Sequence, residues 1–156
     1  MTRILVDADA CPVKDETVAV ASEFGARVVL IANFHHQMPD APGVEAIVVD
    51  DAPDEADLRI ANTAGPGDVV VTNDYPLAAL VLGKGARAVS PRGLLFTEDN
   101  IGPLLEERHR ALARLRRGKR PKGPKPLRPA DRARFLCALR ALLQPAPQDS
   151  NKAASP

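Results

Sequence analysis

Ile4-Leu5-Val6-Asp7-Ala8-Asp9 is a short apolar run closed by two acids one residue apart, and Ala10-Cys11-Pro12 follows at once. Such a run reads as a first β-strand that delivers carboxylates to its own end. Side chains on a strand alternate faces with period two, so Asp7 and Asp9 are expected to project the same way as far as extension lasts. Two like charges that close raise each other's pKa unless a cation or a donor relieves them. A bound divalent metal is the simplest relief. Acids later in the chain gain a functional meaning only if the fold brings them to this pair.

Outward from that strand, the spacing alternates strand and helix. Pro12 is placed as a first helical residue, and Val13, Thr17, Val20, Ala21 and Phe24 form one stripe before Gly25. Residues 27–32, 46–49 and 69–72 are continuous apolar runs of the kind buried on both faces of a parallel sheet, with 86–90 as a weaker fifth strand. The connection 33–45, with Pro39, Pro42 and Gly43, is expected to cross as loop. Strands separated by helical patterns predict an α/β fold, a parallel five-stranded sheet flanked by helices. In such a sheet every strand points its C-terminal end at one rim, where ligands bind. Asp7, Asp9, Asn33, Asp50, Asp51, Asn73 and Asp74 all fall at those ends; ordinary loop polarity accounts for Asp50 and Asp51.

Two acids open the helix that follows residue 53, and they differ. Asp54 has the position of an N-cap, a structural role. Asp57 shares the inward stripe with Ile60, Ala61 and Ala64, where an unpaired carboxylate is costly, and is therefore a functional candidate. Thr72-Asn73-Asp74 closes the fourth strand, and residues 76–82 begin another helix. Thr97 reads as the cap of a helix with Ile101, Leu105, Leu112 and Leu115 on one side and many arginines elsewhere.

The chain has 156 residues, enough for one core, and a formal charge of +1 that hides a division. Residues 1–105 hold 7 Lys/Arg against 16 Asp/Glu, net −9; residues 106–156 hold 14 against 4, net +10. An acidic body with a basic C-terminal section suits a carboxylate site that must also hold a polyanion; a solvated basic face is the plain alternative. With no Trp and one Tyr, stacking platforms for nucleic acid are scarce, so any such grip must be mainly electrostatic. Residues 116–128 are rich in Pro, Gly, Lys and Arg and read as a basic linker, followed by a helix at 129–143 with an apolar stripe through Phe135, Leu139 and Leu142. One domain over 1–143 and a disordered tail at 144–156 are expected. Cys11 and Cys137 have no CxxC or Cys/His metal spacing and suit a reducing compartment, no run reaches membrane-spanning length, and no signal peptide is read at the start, so a cytoplasmic protein is expected.

Asp7, Asp9, Asp57 and Asp74 can form one carboxylate pocket for Mg²⁺ or Mn²⁺, which prefer hard oxygen ligands. Ions so held activate water and stabilise the leaving oxygen of a phosphodiester without a Ser/His or Cys/His nucleophile. Lys14, Asn73, Arg92 and the basic residues Arg116, Arg117, Lys119 and Arg120 are candidates for holding the substrate.

VDADACPVK at 6–14, DEAD at 54–57, VVVTNDYPLA at 69–78, GA at 85–86 and PRG at 91–93 resemble the YaiI/YqxD family of small bacterial proteins of uncertain function, from about residue 3 to about residue 142. That family in turn resembles PIN-like and NYN nuclease domains, in which an Asp closes strand one, an acid sits on a central helix and T-x-D or S-x-D closes strand four. The resemblance implies a PIN-like three-layer fold with strand order 3-2-1-4-5, catalytic roles for Asp7, Asp57 and Asp74, Asp9 as an added metal ligand, and RNA as substrate. Many PIN-like sites carry a further acid one or two residues after the T-x-D aspartate; here Tyr75 and Pro76 stand there.

Three readings follow: a metal-dependent ribonuclease, a non-catalytic RNA-binding protein with a vestigial acidic pocket, and a HAD-like phosphatase, whose fold also opens on strand-DxD. In the last, Thr or Val usually follows the motif two residues on, where this chain has Cys11. His35 and His36 lack zinc-spaced partners. Cys11 lacks a histidine base nearby in sequence and is read as a packing residue.

Overall fold

The computed structural model describes residues 2–33, 38–52, 54–118 and 126–144. Among them β1 (Arg3–Asp7) is central: it pairs in parallel with β2 (Arg27–Ala32) on one side and β4 (Val69–Val71) on the other. β3 (Val44–Val48) extends the sheet beyond β2, and β5 (Arg87–Val89) and β6 (Leu95–Phe96) extend it beyond β4. The order is β3-β2-β1-β4-β5-β6, parallel except for the antiparallel β5–β6 pair. The expected five-stranded sheet is corrected to six strands. β6 is two residues long, too short to leave a periodic signal, and follows β5 through the turn at Gly93.

Period-two alternation along β1 sorts the helices. Ile4 and Val6 point into one cluster, Leu5 into the other, and all three are fully buried. The first cluster takes its helical cover from α1 (Lys14–Phe24) and α5 (Pro129–Leu143), through Val20, Ala21, Phe135 and Leu139. The second takes it from α2 (Glu55–Thr63) and α3 (Tyr75–Gly83), through Ile60, Leu77, Ala78 and Val81. α4 (Glu98–Arg116) lies outside α3 and reaches this cluster with Ile101 and Leu104 only partly buried. Asp7 shares Leu5's parity, so the strand delivers it to the α2–α3 side.

Several expectations need correction. Extension stops at Asp7, because Ala8–Ala10 form a 3-10 turn, so the alternation that was to align Asp7 with Asp9 is broken. α1 accordingly starts at Lys14 rather than at Pro12, and ends on Gly25 in the left-handed conformation, φ 66°, with the Ala26 N–H donating to the Ala21 carbonyl. β3 is an edge strand, not one buried on both faces: Glu45, Ala46 and Val48 are exposed. α4 runs through Arg116, so its regular structure enters the stretch read as linker. Residues 34–37, 119–125 and 145–156, and with them His35, His36, Lys119, Arg120 and most of the expected disordered tail, lie outside the described residues. No helix among the described residues is long and apolar enough to cross a membrane.

α5 docks through more than its apolar stripe. Asp131, 2% exposed, accepts from the Arg128 N–H at 2.9 Å and pairs with Arg92 at 2.7 Å and with Arg134. The Arg128 N–H first, and then the guanidinium groups, hold its carboxyl below the usual carboxylate range. Arg140 pairs with Glu23 and Arg132 with Glu16 of α1.

Candidate active site

Three elements deliver one carboxylate each to the C-terminal rim of the sheet. Asp7 ends β1. Asp57 is in the first turn of α2, on the stripe that buries Ala56, Ile60 and Ala61. Asp74 is the N-cap of α3: its carboxylate accepts the Leu77 N–H at 2.9 Å, while its own N–H donates to Thr72 Oγ1 at 2.9 Å. The T-x-D spacing thus has a local structural cause, a buried threonine fixing the turn that aims the aspartate.

The carboxylates act on one another: the charges of Asp74 and Asp7 both bear on Asp57. Burial first, and then the charges of Asp74 and Asp7, push Asp57 up to about 7. Asp7 is also raised, by burial first and then by the charge of Asp9. Ionising Asp57 is therefore opposed both by burial and by the like charges of Asp74 and Asp7. Asp9 is exposed; the Asn33 N–H donates to it at 2.5 Å.

Two cavities open on this group, with the first turn of α2 between them. One, of about 190 Å³, is lined by Asp7, Asp9, Asn33, Asp54, Ala56 and Asp57. The other, of about 270 Å³, is lined by Asp54, Asp57 and Asp74 with Leu58, Ala61, Pro76, Leu77, Leu80 and Arg108. All four acids expected at the site thus line one or both cavities. Asn33 Oδ1 is buried without a hydrogen-bond partner. Among the described residues no group of three or more His, Cys, Asp or Glu is arranged so that it could hold a metal ion as it stands.

The expected substrate cations are dispersed. Lys14 Nζ donates to the Ala8 carbonyl at 2.8 Å and so closes the 3-10 turn. Asn73 is exposed between Thr72 and Asp74. Arg92 pairs with Asp131 under α5. Arg116 and Arg117 are exposed at the end of α4. Cys11 is buried and its thiol is pushed up to about 11, chiefly by burial, which fits packing rather than nucleophilic chemistry.

Two residues were missed. Asp54 occupies the N-cap position of α2 but makes no side-chain cap bond; its φ is 67°, and it lines both cavities. A non-glycine residue held there carries strain of the kind that gathers at functional sites. Nothing in its sequence context separates it from an ordinary cap. Arg108 of α4 stands 3.6 Å from Asp74. A signal existed for it: Arg108 falls on the stripe Ile101, Leu105, Leu112, Leu115, where a charge needs a reason as much as Asp57 does.

The sequence profile described as "Uncharacterized BCR, YaiI/YqxD family" matches residues 5–145. A UPF0178 protein of Caulobacter sp. (strain K31) is 48% identical over 139 residues, covering 89% of this chain and 92% of that protein. The UPF0178 protein ABC1688 of Shouchella clausii is 40% identical over 143 residues, covering 92% and 93%. Among solved structures, Rae1 (YacP) from Bacillus subtilis, as its W164L mutant, is similar at 19% identity with a TM-score of 0.42, over 90% of this chain and 97% of that one. The profile match and the relatives agree: the chain belongs to the YaiI/YqxD (UPF0178) family.

Proposed function

We propose that this protein is a PIN-like, divalent-metal-dependent nuclease acting on RNA, with Asp7, Asp57 and Asp74 as its catalytic carboxylates and Asp9 as a further ligand. One observation carries the reading: β1, α2 and α3 each place a carboxylate at the same rim, where Asp57 lines one cavity with Asp7 and another with Asp74; burial first, and then like charge, raises Asp7 and Asp57 there. Burying repelling acids together costs stability, and a fold that keeps such an arrangement uses it. The donor set fits Mg²⁺ or Mn²⁺ in kind, being carboxylate oxygens, and a cation there would offset the like charges that raise Asp57. A bound ion supplies an activated water and charge for the leaving oxygen.

The chain's own residues do the rest. Thr72 and the first turn of α3 fix the direction of Asp74. Burial holds Asp57 close to neutrality, where it can take or give a proton at physiological pH. Asn33 offers a buried carbonyl oxygen with a lone pair to spare beside Asp7 and Asp9. The basic section past residue 105 supplies a grip on the polyanion that the acidic body lacks.

A second reading, an RNA-binding protein whose acidic pocket is structural, is favoured by one observation: as N-cap of α3, Asp74 already has a structural role. Titration with Mg²⁺ and Mn²⁺, followed by assays on RNA and on a small phosphate ester, separates the readings. Cleavage of RNA that Asp57→Asn abolishes is the expected result. Metal-independent RNA binding with no cleavage under either ion would leave the binder, and turnover of the ester alone would point to a phosphatase.

A further inference from the structure

We propose that Arg108 is the residue that takes the substrate phosphate at this site, leaving Asp74 as it does so, with Leu58 and Leu80 as the shelf for the adjoining nucleoside; this rests on the nuclease reading. The larger of the two cavities is lined by acidic and by apolar side chains, and Arg108 lines it too. A purely acidic pocket repels a phosphodiester, so a cation within it has a function that the surface arginines do not share.

The quality of its ion pair marks Arg108 as free to exchange partners. Arg92 holds Asp131 at 2.7 Å, with the carboxylate side chain 3% exposed, which is a fixed structural pair. Arg108 stands 3.6 Å from Asp74, and the two side chains are 43% and 31% exposed. Exposed pairs of that kind contribute little to stability. Asp74 loses no essential partner when Arg108 leaves, because the Leu77 N–H still caps it. A guanidinium binds phosphate with paired, charge-assisted hydrogen bonds that a single distant carboxylate oxygen does not match.

The apolar part of the lining fits a nucleoside rather than a protein side chain. Leu58 is 54% and Leu80 52% exposed, one on α2 and one on α3, and both face the same cavity. Its volume, about 270 Å³, lies just below the usual range of small-molecule sites, room for no more than one nucleotide unit and not for a duplex. Tyr75, the aromatic next to Asp74, is engaged edge-on with Phe96 at 5.6 Å, so the base rests on aliphatic carbon. Such a shelf is indifferent to base identity.

The test uses the full chain and a short fluorescein-labelled single-stranded oligoribonucleotide, with an abasic version as control. Binding is read by anisotropy without metal, and cleavage with Mn²⁺. Arg108→Ala is expected to weaken binding about tenfold and to lower the slope of log affinity against log salt by about 0.7, with Arg108→Lys recovering part and the melting temperature unchanged. Leu80→Asn is expected to weaken binding of the ordinary strand and not of the abasic one. Binding and salt slope unaltered in both Arg108→Ala and Arg108→Gln would overturn the proposal. Cleavage that needs Asp57 but ignores Arg108 leaves the nuclease and removes the clamp. Arg108-dependent binding with no cleavage under Mg²⁺ or Mn²⁺ leaves the clamp and removes the nuclease.

Discussion

Asp74 carries two loads, and the choice of substitution separates them. As N-cap of α3 it accepts a backbone N–H, a role asparagine fills almost equally well and alanine does not. Asp74→Ala is therefore expected to cost about 1 kcal/mol of stability and Asp74→Asn only a few tenths, by urea denaturation. RNA cleavage should be lost in both, since neither side chain supplies a carboxylate. Equal activity in Asp74→Asn and wild type would confine the residue to capping. Asp57 makes a different prediction. Its folded pKa is raised from 3.8 to about 7, so between those values the folded chain holds a proton that the unfolded chain has released. Its contribution is fully present below 3.8 and is lost as pH rises through about 7. In metal-free buffer the melting temperature should fall over that window, and Asp57→Asn should flatten the fall. Excess Mg²⁺ or Mn²⁺ should lift the wild-type melt at the upper end and leave Asp57→Asn unmoved. At this scale the sequence was legible where a residue broke a pattern. Asp57 stood out as a charge on an apolar stripe. Asp54 did not, because a left-handed φ at an ordinary cap position leaves no mark in residue type.

Elements with a long period were legible, and short ones were not. The runs at 27–32 and 69–72 identify β2 and β4 within one residue, whereas the two residues of β6 carry no period at all. β3 was misread because edge exposure depends on where a strand sits in the sheet, which composition does not encode. The stripe of α5 was plain, and what it covers is the face of the sheet carrying Ile4 and Val6. Phe135 is fully buried there, and Phe135→Ala is expected to destabilise by about 3–5 kcal/mol. An unchanged denaturation midpoint would show that α5 is an appendage. Gly93 tests the same docking from the other side. Its φ is 89°, and a Cβ at that position would come within 2.6 Å of the Arg134 carbonyl carbon. Gly93→Ala strains the β5–β6 turn and pushes α5 off its seat, and is expected to cost about 1–3 kcal/mol. The same change at Gly102, where a Cβ meets nothing within 4 Å, should not destabilise the chain.

Over the whole molecule, the proposed function gives the charge division a role that neither the sheet nor the acid cluster can fill. The body to residue 105 carries net −9, which repels a polyanion at close range; the section beyond carries net +10. α4 joins the two, since it runs from Glu98, beside the second core cluster, past Arg108 at the acidic rim to Arg116. On the proposed reading, a polyanion held at the far end of α4 would lie on the same helix that carries Arg108 to the acidic rim. Neutralising Arg116, Arg117, Lys119 and Arg120 together is then expected to weaken RNA binding, most at low salt. Each phosphate that is no longer neutralised lowers the slope of log affinity against log salt by about 0.7 for single strands. Turnover at saturating RNA should survive, because none of the four belongs to the carboxylate group, so kcat/KM falls through KM. Asp74→Asn should invert that result, with turnover lost and affinity equal or slightly raised, one charge that repels phosphate having been removed. Both sets of variants are measured across a salt series, with affinity from anisotropy and turnover from single-time-course cleavage. If neutralising the four cations leaves affinity and salt slope unchanged, the basic section is only a solvated face, and the acidic rim must draw its substrate by Arg108 alone.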